Sequence, residues 1–123
     1  MLQKLPQGTK ISITRSITKS FDLYMANIEW NEEKFDIETF IQFWKEYINE
    51  NASWFQSIES EYKEDPKFHE ELALKINDTI EKIVSEAPTK EQIEELDQLM
   101  KEKNIEIDYS CKMEANYHLK KLK

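Results

Sequence analysis

Apolar and polar positions follow one period near the start of the chain and another through the rest of it. From Thr9 to Trp30 the sequence reads TKISITRSITKSFDLYMANIEW. Ile11, Ile13 and Ile17 alternate with Ser12, Thr14 and Ser16, and Arg15 interrupts the apolar face. β-Branched residues at a period of two mark a half-buried strand. After the polar TKS stretch, Phe21, Leu23 and Met25 fall on one face, and Tyr24, Ala26, Ile28 and Trp30 on the other. The pattern predicts two antiparallel strands joined by a short turn near Lys19 and Ser20. A lone hairpin is marginal in water, so this one is expected to lie on a helix or to pair through its open edge.

Beyond the polar NEEK break the period becomes helical. Asp36 is placed as an N-cap, with Phe35 before it and Phe40 after it as a hydrophobic staple. Ile37, Phe40, Ile41, Trp44, Ile48, Phe55, Ile58 and Tyr62 recur at i, i+3, i+4 spacing. This predicts a long helix to about Glu64, weakened near Asn49, Asn51 and Ser53. Asp65-Pro66 starts the next helix, with Pro66 at the first helical position, where its missing N–H costs nothing. Its stripe is Phe68, Leu72, Ile76, Ile80 and Ile83, with Leu74 and Val84 to the sides, and it stops near Glu86 before Pro88.

Thr89 and Gln92 then spell a capping box ahead of the stripe Ile93, Leu96, Leu99 and Met100. Lys101 and Lys103 suit a helix C-terminus, and Asn104 suits a left-handed stop. IEIDY leads to a last helix opening at Ser110 or Cys111, with Ala115, Leu119 and Leu122 inward. The expected fold is α+β, mostly α: an N-terminal two-stranded β-hairpin packed on a bundle of about four helices. Residues 1–86 hold the hairpin and two long helices. Residues 87–123 form a C-terminal helical hairpin packed into the same single domain.

Composition supports order and helix. The 123 residues include only one Gly, while six Phe, five Tyr and three Trp are more than a disordered chain carries. Formal net charge is −8, which disfavours grip on nucleic-acid phosphates. Lys10, Arg15 and Lys19 on the expected hairpin are the candidate nucleic-acid contacts, and Lys120, Lys121 and Lys123 end the chain. An acidic surface suits a basic protein partner, or simply solubility. The single Cys111 leaves no intramolecular disulfide, as in a reducing compartment. MLQKLPQGTK lacks an apolar leader core, and no apolar run approaches the ~20 residues of a membrane span. A soluble cytoplasmic protein is expected.

Groups that could carry chemistry are few. His69 and His118 lack the spacing of an HExxH zinc helix, so no metal and no cofactor is expected. Cys111 is a nucleophile only if its pKa is lowered; a cap substitution or a partly buried thiol is the simpler reading. The pairs Glu32/Glu33, Glu59/Glu61, Glu70/Glu71 and Glu94/Glu95 read as solvated, since acid/base work needs a cleft that separates their pKa values. A single Gly at position 8 excludes a glycine-rich phosphate loop.

The dense aromatics of the second element carry more information. Phe40, Trp44 and Phe55 lie on the core stripe, whereas Phe43, Tyr47 and Trp54 fall at its margin, beside Glu46 and Glu50. Aromatics next to carboxylates make interface anchors; the alternative is that the hairpin covers them.

Two stretches resemble known small modules. Pro88-Thr89, Gln92, Leu96, Leu99, the NIEIDY loop and Cys111-Lys112-Met113-Glu114-Ala115-Asn116, with Leu119 and Leu122, resemble a helical hairpin found at the ends of phage and bacterial proteins, many linked to DNA metabolism. Cys111 and Asn116 stand where that pattern has Ser, and the loop lacks its Gly. KISITRSITKSFDLYMANIEW followed by FDIETFIQFWKEYI is similar in layout to small phage proteins that begin with two strands and a long acidic helix. These resemblances imply a phage or mobile-element setting and no catalytic role.

The expected function is therefore non-catalytic binding to a protein partner, with Phe43, Tyr47, Trp54, Glu46 and Glu50 as contacts. Its sharpest form is an anti-CRISPR-like inhibitor covering a basic nucleic-acid-binding surface of a host protein. The alternatives are an accessory factor of phage DNA replication or recombination that touches single-stranded DNA through the hairpin, and a self-associating scaffold such as a homodimer.

Overall fold

The structure, a computed structural model, describes residue 5 and residues 7–51 and 65–123. Among them are five α-helices and no strand: α1 (Gln7–Asn27), α2 (Ile37–Asn51), α3 (Pro66–Ser85), α4 (Lys90–Lys103) and α5 (Lys112–Leu122), with a 3₁₀ turn at Glu32–Lys34 between α1 and α2. The fold is all-α. The chain divides into two compact units, Met1–Ile80 and Glu81–Lys123.

The expected β-hairpin is absent, and α1 takes its place. The buried residues of α1 are Ile13, Ser16, Ile17, Ser20, Phe21, Tyr24 and Met25, a helical stripe without a gap. Ile11 and Leu23, which the strand pattern placed on the same faces as the buried Ile13 and Phe21, are 43% and 40% exposed. Ser20, assigned to the turn, is fully buried in mid-helix.

The physical reason lies in tertiary packing. Ser, Thr and Ile cost a helix up to ~0.7 kcal/mol each relative to Ala. Burying each large apolar side chain on the stripe returns about 1.5–3 kcal/mol. Four of the hydroxyls bond back to carbonyls of the helix. Thr14 donates to the Lys10 carbonyl (3.3 Å), Ser16 to Ile13 (2.6 Å), Thr18 to Thr14 (3.0 Å) and Ser20 to Ser16 (2.6 Å).

Helices α1 and α2 pack together in the first unit. The small Ser16 and Ser20 leave room on the α1 stripe, and the buried Trp44 indole N–H donates to Ser16 Oγ at 3.0 Å. Nearer the 3₁₀ turn the same interface is aromatic. Phe21 meets Trp30 and Phe40 edge-on at 6.0 and 5.6 Å, and Tyr24 meets Phe35 and Phe40 at 5.8 and 5.5 Å.

Helix α1 stops without a glycine. Glu29 and Trp30 both take φ near +55°, and the Trp30 N–H closes on the Met25 carbonyl at 2.8 Å. Each left-handed non-glycine residue costs about 1 kcal/mol or more. Burial of the Trp30 ring against Phe21 offsets that strain.

Asp36 opens α2 as expected. Its carboxylate accepts from the Thr39 N–H (3.0 Å) and hydroxyl (2.6 Å), and Phe35 lies 6.3 Å from Phe40 in the staple. Helix α2 is described as far as Asn51; the expected continuation to Glu64 lies outside the described residues. On α3 the buried positions include Phe68, Leu72, Ile76 and Ile83, and also Thr79, whose hydroxyl donates to the Lys75 carbonyl at 2.7 Å. Ile80 is only half-buried.

The second unit is built on α4 and α5, which pack on Leu96, Ala115 and Leu119, flanked by Leu99, Met100, Tyr109 and Leu122. The capping box at Thr89 is complete. The Gln92 N–H donates to Thr89 Oγ1 (3.1 Å), and the Thr89 N–H donates to Gln92 Oε1 (3.0 Å). Asn104 ends α4 in the left-handed conformation (φ 54°, ψ 51°). Cys111 is the N-cap of α5 and makes no side-chain cap. The Glu114 carboxylate instead holds the Ser110 N–H (2.9 Å) and hydroxyl (3.3 Å). Lys112 ties the start of α5 to the residue that follows α3, its N–H donating to the Glu86 carbonyl at 2.9 Å.

Candidate functional site

Helix α2 sorts its side chains by angle. Phe40, Trp44 and Ile48 face inward and are buried. At 100° per residue, Phe43 and Tyr47 fall on one flank, one turn apart, with Glu46 and Glu50 about 60° further out. Phe43 and Tyr47 are half-buried, while Glu46 and Glu50 are exposed. Phe43 leans on Tyr24 of α1 with ring centroids 5.8 Å apart, which fixes one side of the aromatic pair. The Tyr47 carbonyl accepts from Asn51 Nδ2 at 3.1 Å, one turn further along α2.

Four of the five expected partner contacts thus share one flank of α2. Trp54 lies outside the described residues. The two carboxylates stand at i, i+4, where like charges repel by a few tenths of a kcal/mol. A cation placed between them would relieve that repulsion.

The expected nucleic-acid contacts sit on a helix and not on a hairpin. Arg15 and Lys19 are exposed one turn apart on α1, and Lys10 lies about 140° around the helix from Arg15 and is half-buried. The backbone brings two of the three cations to one face.

The reactive groups have structural surroundings. Cys111 is buried, and desolvation pushes its thiol up, aided by the Glu114 and Glu86 carboxylates and only partly countered by the Glu114 and Met113 backbone N–H groups. His118 lies 3.7 Å from Glu114 across one turn of α5 and 5.0 Å from the Tyr117 ring. His69 and Glu70 are exposed on α3. Glu95 pairs with Lys123 at 3.0 Å with both side chains half in water, where such pairs contribute little. Glu59 and Glu61 lie outside the described residues. Among the described residues no group of three or more His, Cys, Asp or Glu side chains could hold a metal ion, and no helix is long and apolar enough to cross a membrane.

One concave feature has no counterpart in the sequence reading. A cavity of about 490 Å³ opens between α2 and α3, lined among others by Ile41, Lys45, Asn49, His69, Leu72 and Ala73. Lys45 lies about 160° around α2 from Phe43, but Glu46 belongs to both surfaces, since it also lines the cavity. Its apolar walls, Trp44, Ile48, Phe68, Leu72 and Ile76, are stripe positions of the two helices, and a stripe does not reveal where two helices leave a gap.

No protein-family model matches the chain, and no curated protein or solved structure matches it.

Proposed function

We propose that this is a non-catalytic acidic binding protein that contacts a basic protein surface through the α2 flank formed by Phe43, Tyr47, Glu46 and Glu50. One observation carries the reading: a half-exposed aromatic pair runs alongside two exposed carboxylates on one face of a helix. Aromatics supply contact area with few rotatable bonds. The carboxylates supply charge complementarity, which steers encounter and selects cationic partners. The net charge of −8 favours the same class of partner. The sharpest form of the proposal is a cytoplasmic inhibitor, of phage or mobile-element type, that occupies a nucleic-acid-binding surface as an anti-CRISPR protein does.

The test uses the full chain against a panel of basic nucleic-acid-binding proteins, with and without competing DNA. Binding that DNA displaces, and that weakens at least ~10-fold in Glu46→Lys/Glu50→Lys and in Tyr47→Ala, is expected; truncating an anchor of this kind costs about 2 kcal/mol. The variants must melt like the parent. Binding untouched by both changes, or no binding across the panel, would overturn the proposal.

A further inference from the structure

We draw no further inference here: the strongest candidate, the cavity of about 490 Å³ between α2 and α3 with Trp44, Ile48, Phe68 and Ile76 in its walls, carries no proposal because nothing in the structure shows what covers it.

Discussion

Replacing Ser16 by Ala tests whether the first element is a helix docked on α2. Ser16 is buried and its hydroxyl works twice, accepting from the Trp44 indole at 3.0 Å and donating to the Ile13 carbonyl at 2.6 Å. Alanine removes the acceptor and leaves the Trp44 N–H buried without a partner, at a cost of ~1–3 kcal/mol. Alanine is also the better helix former by about 0.5 kcal/mol. The net expectation is a loss of roughly 1–2 kcal/mol, read as a lower urea midpoint at an unchanged m-value. In a thermal scan each kcal/mol corresponds to about 4–8 °C for a unit of this size.

A double-mutant cycle with Trp44→Phe sharpens the test. The pair should show a coupling of about 1 kcal/mol, because the two side chains are in direct contact. On a strand of a hairpin Ser16 would face water, and its replacement would stay within about 0.5 kcal/mol. A Ser16→Ala protein as stable as the parent, with zero coupling to Trp44→Phe, refutes the docking of α1 on α2.

Other perturbations probe the ends of the helices. Thr89→Ala removes half of the capping box and should cost about 1 kcal/mol, with faster amide exchange at Gln92 as the local readout. Glu29→Gly relieves one left-handed residue and should stabilise the first unit by about 0.5–1 kcal/mol; a lower melting temperature would contradict the strain assigned to that turn. Asp36 has its pKa lowered by the hydrogen bonds from the Thr39 side chain and backbone. Its contribution is therefore present above the unfolded carboxylate value of ~3.9 and is lost as pH falls through the lower folded value. Between about pH 5 and 2 the parent should lose more stability than Asp36→Ala in parallel urea titrations, and identical acid limbs would exclude the cap.

Legibility differed by element. Helices α2, α3 and α4 start where their caps lie in the sequence, at Asp36, Asp65-Pro66 and Thr89, whereas α5 starts after Cys111 with no side-chain cap. Capping is a local exchange between a side chain and backbone N–H groups two or three residues away, so neighbours in sequence suffice. Phe43 and Tyr47 could be placed at the margin of the core for the same reason, because a regular helix converts sequence spacing into angle.

The identity of the first element was not local. Thr9 to Ser20 satisfies a period of two as well as it satisfies a helical stripe, and its β-branched residues favour the strand. The choice was made by residues far along the chain. Trp44 needs an acceptor and a small neighbour, and it finds both at Ser16, 28 positions earlier. Phe40 needs rings to pack against, which Phe21 and Tyr24 offer only from successive turns of one helix. The chain by itself determined where helices could begin and which faces were apolar, because those are short-range properties. Tertiary structure alone decided that the Ser- and Thr-rich start is a helix, since burial against α2 outweighs the intrinsic preference of those residues.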